Sequence, residues 1–229
     1  MRPSLVELID RMILSEFNVS SDDSISWHAH REAEKLNDLS MVEELDAYLA
    51  QKPKKHQRAA AYFIIGKIGK NCRSAECASR LIAYASAEQD KYVLSGLLDR
   101  LAELPKPNSV DIRPIFPLLK DKRWLVRHAA IGSLKDSTST EVEDKLLELL
   151  KDTSDPYDMI YCHVILNRIG TRKSLPALAQ GLKSRKRDVK YSAQAAIEAI
   201  EARDSTQQGA GADAKMQHEP ESPKSSLSA

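Results

Sequence analysis

Glycine and phenylalanine are scarce in this sequence, 8 and 3 among 229 residues. Neither a Gly-rich phosphate loop nor a Gly-x-Ser-x-Gly elbow occurs, which removes the commonest signatures of nucleotide binding and serine hydrolysis. Few glycines and aromatics against abundant Leu, Ala, Glu and Lys favour helices over sheets. The three cysteines, Cys72, Cys77 and Cys162, form no Cys-x-x-Cys pair and are odd in number. That argues against a disulfide framework and for a reducing compartment, so a cytoplasmic location is expected. No apolar run approaches the roughly 18 residues of a membrane span. The opening MRPSLVELIDRMILSEF carries Glu7 and Asp10 inside its apolar pattern and has no small-residue cleavage site, so it is not read as a secretory signal. The net charge is only +1. Long-range attraction to nucleic acid or anionic lipid is therefore lacking, and such binding would need a local patch.

What the sequence does have is internal repetition. Residues 113–135, RPIFPLLKDKRWLVRHAAIGSLK, read as two short amphipathic helices joined by a charged turn. From Leu175 the chain reads LPALAQGLKSRKRDVKYSAQAAIEAI, and laying Leu182 on Leu119 also aligns Val189 with Val126, Lys190 with Arg127 and Ala193 with Ala130. Leu150, in KLLELLKD, sits near the midpoint, so the unit is a little over ~30 residues long. A supersecondary unit repeated at that period buries its apolar face only against its neighbours.

Taken in order, residues 1–38 are expected to form two capping helices, one over 3–17 and one over 25–37. Residues 39–203 are then expected to form five two-helix units: 41–51 with 54–68, 75–88 with 91–104, the pair within 113–135, 141–151 with 158–169, and 174–183 with 188–203. Gly69 and Gly170, in matching Ile-Gly dipeptides, are expected to close their helices as left-handed caps. From 204 to 229 the composition turns to Gly, Ser, Gln, Pro and charge, too little apolar surface to offset ordering entropy, and a disordered tail is expected.

The repeated residues resemble the HEAT-repeat family, including its short bacterial variety. Its pattern is an apolar first helix with an early proline, an aspartate at the turn, then Val-Arg and small residues opening the second helix. Pro114, Leu118, Leu119, Asp121, Val126, Arg127, Ala129 and Ala130 carry it, as do Pro176, Leu178, Leu182, Val189, Lys190 and Ala193. The pattern fades elsewhere: Ser184 and Lys52 stand where the aspartate belongs. The resemblance covers about residues 40 to 203. It implies an all-α, right-handed α-solenoid of about five to six units, with Asp121 and Arg127 in a hydrogen-bonded ladder between repeats and the second helices lining a concave binding surface.

On that surface the expected partner-binding residues are Arg58, Tyr62, Arg123, Trp124, Arg127, His128, Tyr161, Arg187, Lys190, Tyr191 and Gln194. Arg, Tyr and Trp bury large area while still offering hydrogen bonds, which makes them frequent binding anchors. The competing reading gives Arg127 and Lys190 to the ladder and the tyrosines to the core edge. A second candidate is basic: Lys183, Arg185, Lys186, Arg187 and Lys190, with Arg168, Arg172 and Lys173 one repeat earlier and Lys54, Lys55, His56 and Arg58 near the start. HEAT-like alkylpurine DNA glycosylases use a comparable face. A carboxylate framed by aromatics is not evident here, where only Trp124, Tyr161 and Asp158 offer themselves. A third is His28, His30 and Glu32; His28 and Glu32 share a helix face, but two ligands make no metal site. Cys162 beside His163 points about 100° away from it and reads as a small buried residue.

The expectation is a non-catalytic scaffold, adaptor or regulator that binds a partner protein through its second-helix face, with no cofactor, metal or membrane. The alternative is a basic nucleic-acid groove, glycosylase-like at its furthest.

Overall fold

The computed structural model describes residues 3–216, with side chains from 4 to 206. Every regular element among them is a helix, and the one isolated backbone bridge pairs Lys106 with Ser137. Helices α1 (Pro3–Met12) and α2 (Ile25–Ala33) cap one end of the stack by packing on α4. Five pairs follow: α3 (Ser40–Leu49) with α4 (Lys55–Asn71), α5 (Ala75–Ala87) with α6 (Lys91–Leu101), a 3-10 helix (Arg113–Lys120) with α7 (Trp124–Ser133), α8 (Thr140–Asp152) with α9 (Pro156–Ile169), and α10 (Leu175–Gly181) with α11 (Arg187–Met216).

The second helices α4, α6, α7, α9 and α11 pack in succession as one layer. The first elements form the other layer: α5 lies against the 3-10 helix, that against α8, and α8 against α10. This is a two-layer, all-α solenoid. Helix starts are written in the sequence: Ser74 accepts from Cys77 N, Asp90 from Tyr92 N and Val93 N, and Asp155 from Tyr157 N. Between the layers runs a continuous core in which Leu45, Ile64, Ile65, Leu98, Leu146 and Leu166 are fully buried. Each such side chain contributes on the order of 1.5–3 kcal/mol. Val126, Ala130 and Leu134, the expected buried stripe of α7, are all at 0% exposure.

Several expectations are corrected. Residues 113–120 form a 3-10 rather than an α-helix, because Pro117 has no N–H and its ring would meet the carbonyl four residues back. Bonds three residues apart, Ile115 N to Ile112 O at 3.0 Å and Asp121 N to Leu118 O at 3.2 Å, begin and end it. The first cap ends at Met12 rather than 17. Glu16 then bends the chain, its carboxylate accepting from Ile25 N and Ser26 N at 3.0 and 2.9 Å and so capping α2.

Neither Gly69 nor Gly170 is a left-handed cap, and no glycine among the described residues has positive φ. Gly69 lies inside α4, where an added Cβ would come within 2.6 Å of Cys77 Cβ, so its smallness serves helix packing. The left-handed residue is Arg73, φ 52°, with Ser74 N bonding Gly69 O and Arg73 N bonding Lys70 O in a Schellman closure. Gly170 caps α9 in extended conformation, φ −64° and ψ 148°. At the far end α11 runs past the expected boundary at 203 to Met216. The remainder of the expected tail, 217–229, lies outside the described residues.

One side chain does unanticipated structural work. Lys106, 2% exposed, donates from Nζ to Leu101 O and Leu104 O at 2.9 and 2.7 Å, closing the carbonyl end of α6. Its own carbonyl accepts from Thr138 N at 3.1 Å, clasping the segment after α6 to the one after α7. Burial pushes the Lys106 ammonium down to about 8.

Candidate protein-binding face

The second-helix layer is held by two arginine rungs. Arg58, in the first turn of α4, donates from Nε and Nη2 to the two oxygens of Glu88 at 2.7 and 2.8 Å, and from Nη1 to Pro53 O at 3.1 Å. Arg127, at the corresponding place in α7, donates from Nε to Asp158 at 2.8 Å, from Nη2 to Asp155 at 2.9 Å and from Nη1 to Asp121 O at 2.9 Å. Each rung therefore joins one repeat to the acid of the next, and each also ties down the turn before its own helix. Forked, charge-assisted bonds of this kind are stronger and more directional than neutral ones. Burial pushes the Glu88 carboxyl upward, but Arg58 and the amides of Asp90 and Gln89 together hold it below its ordinary value.

Arg127 bonds across repeats, as the resemblance implies, but the Asp121 carboxylate takes no part in that ladder. That carboxylate is taken by Arg123, through Nε and Nη2 at 3.0 and 2.7 Å, which holds the Asp121 carboxyl below the usual range. Arg127 reaches only the Asp121 backbone, and its carboxylate partners lie in the following repeat.

Around the second rung stands an aromatic group. His128 stacks on Tyr161 with centroids 4.9 Å apart and planes at 22°, and it lies 5.6 Å from Trp124 and 6.1 Å from Tyr157. Trp124 and Tyr157 are exposed at 62% and 64%, whereas His128 is buried beneath them. Its Nε2 approaches Asp158 Oδ1 to 3.0 Å at an angle that makes no hydrogen bond. Asp158, 3% exposed, also accepts from Thr153 Oγ1 at 2.9 Å, so it is a buried acid of the rung rather than a carboxylate open to a substrate. His128, Asp155 and Asp158 place one ligand atom each within 4.8 Å of one another, the only such group among the described residues. The Arg127 guanidinium already supplies the positive charge there.

Of the eleven expected binding residues, Trp124, Tyr161, Arg187, Lys190, Tyr191 and Gln194 are exposed. Tyr62 is not: at 5% exposure it packs beside Tyr84, centroids 5.3 Å apart, and burial lifts its phenol to about 12. Arg58 and Arg127 are half-buried in the rungs, Arg123 is committed to Asp121 and to Gln89 O at 2.9 Å, and His128 is buried. On the second helices two exposed rings were not anticipated, Tyr92 at 66% and Tyr157. Their signal is position: Tyr92, Trp124 and Tyr157 recur 32 and 33 residues apart, each in the first turn of a second helix.

The basic candidate divides. Arg168 pairs with Asp136, Arg172 with Asp204 and Lys173 with Asp144, while Lys183, Arg185, Lys186, Arg187 and Lys190 remain exposed around the start of α11. The polar face of α2 is engaged elsewhere: His28 Nε2 meets Asp22 O at 2.7 Å, His30 Nδ1 meets Ser26 O at 2.8 Å, and Glu32 pairs with Arg11 at 2.6 Å. Cys162 is fully buried, and burial pushes its thiol far above the ordinary value.

With two helix layers, interrepeat arginine rungs and a period near 32 residues in place, the comparison with known families is direct. Residues 78–160 match the family model described as HEAT repeats. Over those residues the chain carries HEAT repeats. That stretch runs from within α5 to the first turn of α9 and so includes the second rung and, of the aromatic group above it, Trp124, His128 and Tyr157. HEAT repeats generally mediate protein–protein interaction and are generally non-enzymatic. No curated protein matches the chain significantly. No helix among the described residues is long and apolar enough to cross a membrane.

Proposed function

We propose that this HEAT protein is a non-catalytic adaptor or regulator that binds a partner protein through the starts of its second helices. One observation carries the reading. Tyr92, Trp124, Tyr157, Tyr161 and Tyr191, 40% to 77% exposed, stand on four consecutive second helices whose rigidity comes from other residues. Exposed rings in a row, on a scaffold that does not need them for its core, are suited to burial by a partner. Rigid stacked helices also lose little conformational entropy on association. Cytoplasmic residence belongs to the same reading, on the strength of three free thiols, two of them buried.

A second reading rests on the exposed cations around the start of α11. Lys183, Arg185, Lys186, Arg187 and Lys190 could track phosphates, with an affinity that falls steeply as salt rises.

One experiment separates the two. Affinity purification from the native host's lysate is run with and without nuclease, using wild type, Trp124→Ala/Tyr157→Ala and Arg187→Glu/Lys190→Glu. The adaptor reading expects a stoichiometric protein that survives nuclease and is lost with the ring substitutions. Retention that vanishes with nuclease and with the charge reversals would replace it by the phosphate-tracking reading.

A further inference from the structure

The exposed rings have a geometry more specific than a sticky patch. Tyr92, Trp124 and Tyr157 occupy the first turns of consecutive second helices, and two bonds hold those helix starts side by side. Arg123 Nη1 donates to Gln89 O, just ahead of α6, and Arg127 Nη2 donates to Asp155, the N-cap of α9, each at 2.9 Å. The row is therefore set by the scaffold. Packed helices lie about 8–10 Å apart, and the starts that carry the rings follow one another at that spacing. A polyproline II segment advances about 9 Å in three residues and turns the same face outward each time. A row of rings at that pitch matches a segment with proline at every third position, and aromatic-lined grooves are the usual receptors of such segments.

The ground beside the rings is open. Gly96, one turn beyond Tyr92, and Gly132, two turns beyond Trp124, have nothing within 4 Å of where a Cβ would stand. Neither has positive φ, so neither backbone conformation nor crowding calls for glycine there. Each costs its helix roughly 1 kcal/mol relative to alanine. The flank is basic: exposed Lys91 holds its Nζ 4.9 Å from the Tyr92 ring centre, and Lys122 is exposed two residues ahead of Trp124.

The chain itself contains a segment of the complementary kind. Residues 217–229 read QHEPESPKSSLSA, with Pro220 and Pro223 three apart and Glu219 and Glu221 beside them. It cannot return to its own ridge while α11 is intact. That helix, 30 residues long, extends about 45 Å from a start beside α9. It runs parallel to α9, His163 meeting Ser192 near its start and Asn167 meeting Arg203 further along. Seven residues from Met216 to Pro223 reach at most ~25 Å.

We propose that the Tyr92, Trp124 and Tyr157 ridge seats the Pro220-Glu221-Ser222-Pro223 segment of a second copy of this chain, with Glu219 and Glu221 facing Lys91 and Lys122. This rests on the protein-binding reading and names the partner. Because the contact joins two different surfaces, it is heterologous and links copies head to tail rather than closing a two-fold dimer.

The test uses a fluorescein-labelled peptide of residues 214–229 titrated with the full-length chain, read by anisotropy, beside sedimentation velocity of the intact chain over a concentration series. The expected result is saturable binding, weakened about tenfold or more by Trp124→Ala in the chain and equally by alanine at both prolines of the peptide. Lys91→Glu, which leaves the rings in place, weakens it less and makes it less sensitive to salt. Unchanged melting of Trp124→Ala excludes misfolding. The sedimentation coefficient of the wild-type chain rises with concentration, and that rise is lost with Pro220→Ala/Pro223→Ala. Absence of saturation, equal binding by the proline-free peptide, or a wild-type sedimentation coefficient independent of concentration would overturn the proposal. If lysate proteins are still captured by wild type and lost with Trp124→Ala/Tyr157→Ala, that failure leaves the adaptor reading intact.

Discussion

The first rung and the second use the same device in different settings. At Arg58 the guanidinium grips Glu88 and a turn carbonyl, and the nearby ring, Tyr62, is folded into the core against Tyr84. At Arg127 the guanidinium grips Asp158, Asp155 and a turn carbonyl, yet Trp124, Tyr157 and Tyr161 above it face solvent. The first rung has one exposed ring beside it, Tyr92 at the start of α6, and the second has three. The rung belongs to the architecture and the rings are additional to it, and the proposed binding surface is richest in them toward the middle of the stack.

The largest effect should come from breaking the second rung. Arg127→Met leaves two neighbouring carboxylates without their cation, Asp158 keeping Thr153 Oγ1 and Asp155 keeping Tyr157 N, and is expected to lower stability by about 4 kcal/mol, the range for breaking a buried ion pair. Urea unfolding followed by circular dichroism measures it. Adding Asp158→Asn should recover a substantial part, and additive losses would show that the two side chains are not coupled.

Acid should separate His163 from the rungs. Its ring, 1% exposed between α9 and α11 with Nδ1 2.9 Å from Ser192 Oγ, is pushed by burial down to about 4. The unfolded chain takes up this proton near pH 6.5 and the folded chain does not, so stability falls as pH drops from 6.5 towards 4. The loss is on the order of 3 kcal/mol, and His163→Gln should flatten it. The Glu88 carboxyl, lowered in the folded state, contributes stability above about pH 4.5 that is lost only below it. Arg58→Met should therefore leave the upper window unchanged and alter the lower one.

Arg58→Met itself should cost less than Arg127→Met, about 2 kcal/mol, because Glu88 keeps bonds from Gln89 N and Asp90 N, each at 3.0 Å. An equal cost would mean that the two rungs are equally dependent on their arginine. Smallest of all, Trp124→Ala should change stability by less than ~0.5 kcal/mol, since its ring is mostly in water. A melting point lowered by several degrees would make Trp124 a packing residue and remove the contrast between the two rungs.

The repeat period, the helix pairs and the buried stripe of α7 could be read from local sequence, because Val126, Ala130 and Leu134 announce their face by spacing alone. What lay beyond local reading was set by neighbours. Tyr62 looks like an exposed ridge residue until Tyr84 of the following repeat covers it, and His128 until Tyr157 and Tyr161 stand over it. Gly69 carries a helix-stop signal, yet its smallness is used against Cys77, and the stop falls at Arg73. Asp121 and Arg127 have ladder spacing, but Arg123 is nearer in sequence and takes the carboxylate. Tyr92 and Tyr157 recur with Trp124 at 32 and 33 residues, a signal carried by the repeat period that becomes a row once the helix starts are aligned in space.

Lys106 has a consequence for chemical footprinting. Among the described lysines it is the one whose side chain is buried, with its amine held by two carbonyls. Amine-directed reagents reach its neighbours at once and Lys106 only when the clasp between the segments after α6 and α7 comes undone. The rate at which it acquires label is therefore a clock for that opening, in the part of the stack where the rings sit.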